Sequence, residues 1–137
     1  MSYLLDTNVL SETRKRRQDP GVTEWISAIP PDRLYVSALT IGEIERGVTG
    51  LSQRGDHRQA AAFRSWLDNI VQEFDRRIIP VTTQIARGWG GQSRTQPVPT
   101  IDALIAATAR LHGWTLVTRN IRDFERTGVR VLNPFTG

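Results

Sequence analysis

Residues 3–10 read Tyr3-Leu4-Leu5-Asp6-Thr7-Asn8-Val9-Leu10, a short apolar run that ends at a carboxylate and is followed by further polar and apolar residues. The run predicts a buried β-strand, and the residues after Asp6 predict the start of a helix. In open α/β sheets ligands bind at the carboxyl ends of the strands. Asp6 is therefore predicted to lie at a binding edge.

Four further apolar runs alternate with stretches of helical periodicity. The runs lie at 34–36, 78–79, 115–117 and 129–132, and the helical stretches at 39–48, 60–74, 83–89 and 101–111. Parallel neighbouring strands need long crossover connections, and strands this apolar are usually covered by helices on both faces of the sheet. The fold class is predicted to be α/β, with a parallel sheet of about five strands.

Three connecting segments carry their own predictions. Residues 37–77 are long enough for two helices with a break near 50–55, which predicts a helical hairpin projecting between the second and third strands as a possible partner-binding arm. The glycines at 88–91 and the prolines at 96–99 predict a loop before a helix that starts near Thr100. Residues 133–137 resemble a loosely held tail.

The composition is that of an ordinary globular chain. Of 137 residues, 39% are hydrophobic and 23% charged, so neither disorder nor a fibrous architecture is favoured. That length fits one domain, residues 1–137. No apolar run is long enough to span a bilayer, and Asp6 stands where a signal peptide would have its apolar core. We expect a single cytoplasmic domain without membrane contact.

The side-chain inventory narrows the chemistry. There is no cysteine, and two histidines are too few for a zinc-type site, so oxygen atoms are the expected ligands of any metal. The net charge is +4, and Lys15 is the only lysine among 18 basic residues. Arginine suits bidentate contact with phosphate or carboxylate, which indicates nucleic acid or an acidic protein face as partner. A genomic bias toward arginine would produce the same composition.

Four carboxylates map to one edge of the predicted sheet. Each follows a strand or stands in the first turns of a helix: Asp6, Glu43, Asp102 and Asp123. Singly, each is also explained as a helix cap or capping-box residue. Together they would repel one another unless a cation neutralised them. Carboxylates without histidine or cysteine suit Mg²⁺ or Mn²⁺, and such an ion can supply hydroxide for phosphodiester hydrolysis.

Five groups of residues then occur in a recognisable order along almost the whole chain. They are Leu4-Leu5-Asp6-Thr7-Asn8-Val9, Glu43-Ile44-Glu45-Arg46-Gly47, Asp102-Ala103-Leu104-Ile105-Ala106-Ala107-Thr108-Ala109, Leu116-Val117-Thr118-Arg119-Asn120 with Asp123-Phe124, and Asn133-Pro134. This ordered set resembles the PIN-domain ribonucleases and, within them, the VapC-type toxins of type II toxin–antitoxin systems, including FitB-like members. Each string alone is weakly specific, but the set is highly specific.

The resemblance implies a three-layer α/β/α fold, endonucleolytic cleavage of RNA with Mg²⁺ or Mn²⁺, a homodimer and inhibition by a cognate VapB-type antitoxin that alone contacts DNA. Asp6 and Asp102 correspond to principal metal ligands, and Glu43 to a third acid that binds the ion directly or through water. Many members have aspartate at the position of Asn120. The fourth acid is therefore either supplied by Asp123 or absent.

Neighbouring polar residues have two interpretations each. Thr7, Asn8, Thr118 and Asn120 would either orient carboxylates or metal-bound water, or serve as caps and turn formers. Arg46 would reach a substrate phosphate or form an exposed pair with Glu43. The basic run at 14–17 would track RNA or lie in solvent at a helix end. The aromatic residues Trp25, Phe63, Trp66 and Phe74 are predicted to be core or dimer contacts.

Two other classes of protein are excluded by particular residues. A haloacid-dehalogenase-like phosphotransferase would need a second aspartate where this chain has Asn8. A dinucleotide-binding fold would need its glycine-rich turn after the first strand, and the glycines at 88–91 follow a helical stretch. The remaining alternative is a noncatalytic PIN-like module that binds nucleic acid or a partner, which Asn120 alone favours.

Overall fold

The structure, a computed structural model, describes residues 1–92 and 98–136. Its sheet has five parallel strands in the order β3-β2-β1-β4-β5. The strands are β1 (Tyr3–Leu5), β2 (Leu34–Ser37), β3 (Ile78–Ile79), β4 (Thr115–Val117) and β5 (Val131–Leu132). The predicted α/β class and parallel sheet are confirmed. The central pair, β1 and β4, aligns Leu5 with Val117.

Helices connect successive strands. They are α1 (Thr7–Glu12), α2 (Pro20–Ala28), α3 (Ala38–Gln53), α4 (His57–Phe74), α5 (Thr83–Gly90), α6 (Thr100–His112) and α7 (Ile121–Phe124). Several begin at side-chain caps, as at Asp6, Ser37 and Thr82, whose oxygens accept a backbone N–H of the first turn. The predicted helical stretches are confirmed, and α2, led by the Asp19 cap and Pro20, was not predicted.

Side chains alternate across the sheet and divide the core into two parts. Leu5, Val36 and Val117 lie in a cluster with side chains of α1 to α4. Leu4 and Leu116 lie in a second cluster with side chains of α6 and α7. Successive strand residues point to opposite faces, so each face is covered by its own helices. This is the three-layer arrangement that the resemblance implied.

Helices α3 and α4 form the predicted hairpin between β2 and β3. The break falls at residues 54–56, within one residue of the predicted interval, where Gly55 adopts a left-handed conformation. Residues 52–59 at its tip are exposed. Toward its base, Leu67, Ile70 and Phe74 are buried in the core with Ile44. The hairpin is thus fixed at one end and projects at the other.

Two predicted element bounds need correction, and one predicted loop is not tested. Helix α5 extends through Gly90, so the glycine-rich segment 88–91 is mostly helix and not the predicted loop, because the buried Ile85 holds the helix on the core and Gly91 caps it. The last strand is shorter than 129–132, since only Val131–Leu132 pairs with β4. The predicted loop residues at 96–97 lie outside the described residues.

The segment after β5 is also better held than predicted. Thr136 donates its backbone N–H and its hydroxyl to the Asp19 carboxylate, with Oγ1 2.7 Å from Oδ2. Gly21 lies so close to this segment that an added Cβ would clash with the Pro134 carbonyl oxygen. Residues 133–136 therefore pack against the start of α2. Across the described ranges, no helix is both long and apolar enough to cross a membrane.

Candidate active site

Asp6 ends β1 and begins α1. Its backbone N–H continues the sheet by donating to the Val117 carbonyl at 2.9 Å. Its side chain then caps α1, accepting from the Thr7 backbone N–H at Oδ1, also at 2.9 Å. The residue is only 5% exposed. The transition from strand to helix thus holds a carboxylate in a fixed, largely buried position at the carboxyl edge of the sheet.

The second oxygen of Asp6 meets side chains from two elements. Oδ2 accepts from Thr118 Oγ1 at 2.8 Å and from Asn8 Nδ2 at 3.3 Å. Burial raises the pKa of Asp6, the three hydrogen bonds lower it, and the charge of Glu43 raises it again, with a net upward shift. The donors thus offset only part of the destabilisation of the ionised carboxylate.

Thr7 connects Asp6 to Glu43. Glu43 lies in the second turn of α3 and is half-buried. Its Oε1 accepts from Thr7 Oγ1 at 2.6 Å, while the Thr7 backbone N–H donates to Asp6. One residue therefore holds two carboxylates from different elements in a fixed relation.

Asp102 stands in the first turn of α6, where it is half-buried. Burial, followed by the charges of Asp6, Glu43 and Asp123, raises its pKa from the ordinary 3.8 to about 6. Coulombic effects of this kind act between neighbouring groups. All four predicted acids therefore lie close enough to interact electrostatically at this edge of the sheet, which we call the acid edge.

The loop after β4 completes the acid edge. Thr118 Oγ1 accepts from the Asn120 backbone N–H at 3.0 Å, and Asn8 Oδ1 accepts from the Arg119 backbone N–H at 3.1 Å. The Asn120 side chain makes no capping bond to α7. Asp123, in the first turn of α7, is exposed. The fourth acid is thus the most solvated of the set.

A family model for the PIN domain matches residues 3–129. The chain belongs to the PIN-domain family. The plasmid stability protein StbB of Pseudomonas syringae is 33% identical over 96% of this chain and 97% of its own length. VapC ribonuclease Y4jK of Sinorhizobium fredii is 30% identical over 96% of each chain. The crystal structure of FitAcB from Neisseria gonorrhoeae matches with a TM-score of 0.86 at 30% identity, covering 96% of this chain and 97% of that one.

The donor atoms of the acid edge determine which metal ion this PIN domain suits. The four acids offer only oxygen atoms, and their mutual repulsion is relieved by a cation. Within the described ranges, however, no three acidic or histidine side chains converge as a ready ligand cluster. Since Mg²⁺ retains several waters and uses one or two carboxylates directly, the set fits an ion held partly through water. PIN-domain ribonucleases are in general metal-dependent.

The predicted basic residues take no part in the hydrogen bonds of the acid edge among the described residues. Arg46 is exposed and forms no ion pair with any described residue. In the basic run, Arg14 stacks on the Phe63 ring at 4.1 Å and Lys15 pairs with Glu12 at 2.9 Å. Half of the run is therefore engaged in packing and pairing.

The predicted aromatic contacts are confirmed as core packing. Phe74 is buried, and the other three pack against the same cluster: Trp25, Phe63 and Trp66. A dimer role for them stays a prediction.

Sequence reasoning missed two residues beside the acids. Arg119 was quoted only within a motif, although its backbone fixes Asn8, which donates to Asp6. Thr40, one turn before Glu43, is fully buried and its Oγ1 has no hydrogen-bond partner among the described residues. The position of Arg119 between Thr118 and Asn120 was a usable signal. An unpaired hydroxyl leaves no trace in sequence.

Proposed function

We propose that this PIN domain is the toxin of a toxin–antitoxin pair and a metal-dependent endoribonuclease that hydrolyses RNA phosphodiester bonds. The observation that carries the proposal is the acid edge, where Asp102 experiences the charges of Asp6, Glu43 and Asp123 at once. Like charges gathered at the carboxyl edge of an α/β sheet, where ligands bind, destabilise the fold unless a cation is bound. The ribonuclease name of the Sinorhizobium relative supports the same chemistry.

Asp6 and Asp102 would hold the ion as principal ligands, with Glu43 binding directly or through water. Mg²⁺ or Mn²⁺ would polarise the scissile phosphate and lower the pKa of a bound water. Thr118, Asn8 and Thr7 favour the ionised form of the Asp6 carboxylate, partly offsetting its burial, and orient it through their three hydrogen bonds. Thr7 orients Glu43 through its hydroxyl. Asp123 would serve as the fourth acid through bound water, since it is exposed.

The partners follow from the same surface. An acidic groove is inhibited most simply by a segment that brings arginine to the carboxylates, and we propose a VapB-type antitoxin in that role. A solved toxin–antitoxin complex from Klebsiella pneumoniae, which matches this chain at 29% identity with a TM-score of 0.70, supports such a partner. We further propose that residues 1–137 act as one PIN domain, that the toxin is a cytoplasmic homodimer, and that it contacts DNA only through its antitoxin.

The test is cleavage of an end-labelled structured RNA by the antitoxin-free protein. We expect cleavage with Mg²⁺ or Mn²⁺, none with EDTA, and a loss of at least about a thousand-fold in Asp102→Asn. The exposed arginine variant Arg76→Gln, on the short helix before β3, serves as a preparation control.

A fully active Asp102→Asn variant would overturn the proposal. If neither the wild type nor the variant cleaves any of several RNAs that both still bind, the noncatalytic module is favoured instead.

A further inference from the structure

The segment after β5 is held by side-chain hydrogen bonds and by packing of its aromatic residue. Asn133 Oδ1 accepts from the Phe135 backbone N–H at 2.9 Å, and Thr136 is bound to the Asp19 carboxylate. The Phe135 side chain packs against the core cluster of α1 to α4. Nothing in the acid chemistry proposed above uses this aromatic residue.

The exposed face of the Phe135 ring carries the guanidinium of Arg119. The Arg119 Cζ atom lies 4.6 Å from the ring centroid, within the range of a cation–π contact. Arg119 immediately follows Thr118, whose hydroxyl donates to Asp6. Its own backbone N–H donates to Asn8. The backbone of Arg119 thus belongs to the acid edge while its side chain is oriented by Phe135.

The charge of the Arg119 side chain is not neutralised by its neighbours. Arg119 is exposed, and within the described ranges no carboxylate pairs with it and no acceptor takes its guanidinium N–H groups. A ring face holds the guanidinium plane and leaves its edge donors free. An oriented arginine with free donors, carried on the loop whose backbone belongs to the acid edge, is suited to an anion that approaches those acids.

We propose that Arg119 binds a phosphate of the RNA backbone next to the scissile bond and that Phe135 positions its guanidinium for this contact. The inference rests on the proposed ribonuclease function. RNA must bring phosphates to an edge that repels anions, and a cation held on the loop that follows Thr118 would lower that repulsion along the path of the RNA backbone. Bidentate contact by the planar guanidinium suits a phosphate. The proposal concerns binding of the substrate, and hydrolysis stays with the acids.

The experiment separates binding from cleavage. In the Asp102→Asn background with Mg²⁺, binding of a fluorescein-labelled structured RNA is followed by anisotropy over a range of KCl concentrations. Arg119→Gln should weaken binding about ten-fold, the effect of one charge-assisted hydrogen bond. It should also reduce the slope of log K against log salt by about 0.7, the value for one phosphate contact on a single strand. Arg119→Lys should be intermediate, because it keeps the charge without the planar fork.

Two further variants test the positioning role. Phe135→Leu keeps an apolar side chain on the core and removes the ring, so it should weaken RNA binding about two- to five-fold with an unchanged salt slope. Arg76→Gln makes the same charge change as Arg119→Gln at an exposed position before β3, on the opposite edge of the sheet. It should leave both affinity and slope close to the parent.

In the cleavage-competent protein, Arg119→Gln should raise KM with little change in kcat. The proposal is overturned if Arg119→Gln binds and cleaves as the parent does while its melting temperature falls, since Arg119 would then only hold the segment after β5. If the wild type does not cleave but binding still depends on Arg119, the ribonuclease assignment fails while the phosphate contact stands.

Discussion

The acid edge and the aromatic residues on the α6 side of the sheet are built on the same strands but with opposite energetics. On the α6 side the Trp114 ring stacks between Tyr35 and His112, with centroid distances of 4.1 and 4.2 Å. The His112 ring is fixed in turn, since Nδ1 lies 2.9 Å from the Thr108 carbonyl oxygen. Every contact in this aromatic stack is attractive. At the acid edge, like charges raise the pKa of Asp102.

The difference indicates which region serves stability and which serves function. A site that opposes the fold by itself is retained for its chemistry, whereas a well-packed region needs no further explanation. Substitutions in the stack should therefore change stability without changing cleavage. Substitutions at the acid edge should change cleavage, in some cases with a gain in stability.

After the loss expected for Asp102→Asn, the next largest effect is expected at Thr118, which is fully buried. Thr118→Val keeps the shape but removes the donor to Asp6 and the acceptor for the Asn120 backbone N–H. We expect a ten- to hundred-fold loss of kcat/KM, as for other residues that support metal ligands. Stability should fall by about 1–3 kcal/mol because buried polar groups lose partners.

Thr118→Ser is the matched control, since it keeps the hydroxyl and loses only a methyl group. Steady-state cleavage and urea denaturation should rank it close to the wild type. Equal activity of the valine and serine variants would show that the hydroxyl does not support the site.

The aromatic stack should respond in the opposite way. Trp114→Leu removes two ring contacts, each worth about 0.5–1.5 kcal/mol beyond the area buried, so we expect about 2 kcal/mol of destabilisation. The kcat of the folded protein should not change. Urea denaturation measures the stability. Cleavage is measured at a temperature 20 °C lower than the melting temperature of the variant, where the protein is folded. A ten-fold loss of kcat would break the proposed separation of the two regions.

The pH dependence of stability should carry the signature of Asp102. Its pKa in the folded state, about 6, exceeds the ordinary value of 3.8. The folded state therefore binds the Asp102 proton more tightly than the unfolded state does. This contribution is fully present below about pH 4 and is lost as pH rises through about 6. Metal-free wild type should thus gain about 1 kcal/mol between pH 7 and pH 5, after discounting for the solvent exposure of Asp102.

Asp102→Asn supplies the reference for this measurement, because other groups also make stability depend on pH. Lys15 lowers the pKa of Glu12, for example, so the contribution of Glu12 to stability is lost as the pH falls. Chemical denaturation of both proteins in EDTA at each pH isolates the Asp102 contribution. A difference between them that does not vary with pH would mean that Asp102 carries no raised pKa.

The smallest effect at the acid edge is expected at Asp123. It is exposed and influences Asp102 only through its charge. Asp123→Asn should lower kcat/KM by less than about ten-fold, well below the loss at Asp102, as befits an acid acting through water. Side-by-side cleavage assays with both variants decide the point. A loss as large as that of Asp102→Asn would make Asp123 a direct ligand.

The sequence predicted the parts of the fold that periodicity and chain direction control. Short apolar runs gave all five strands, and Asp6 could be assigned to the strand–helix junction because it directly follows β1. The glycines at 88–90 were misjudged since tertiary contacts of Ile85 outweigh their helix propensity. Propensity is a weak guide where packing decides.

The residues of the acid edge could be predicted from the sequence, but the contacts that join them could not. Four acids could be mapped to one edge because parallel strands present their carboxyl ends together. That Thr7 joins Asp6 to Glu43, or that Phe135 lies under Arg119, depends on contacts between residues 36 and 16 positions apart. No local pattern encodes such pairs. The unequal exposure of Asp6 and Asp123 likewise emerges only from packing.

The central claim is that the acid edge binds a divalent cation, and titration with Mn²⁺ followed by electron paramagnetic resonance tests it most directly. Bound Mn²⁺ loses the sharp signal of the free ion, so the bound number per chain is counted without any substrate. We predict that the wild type binds one Mn²⁺ and that Asp102→Asn binds it at least about ten-fold more weakly. Equal Mn²⁺ binding by the two proteins, or none by the wild type, would contradict the account.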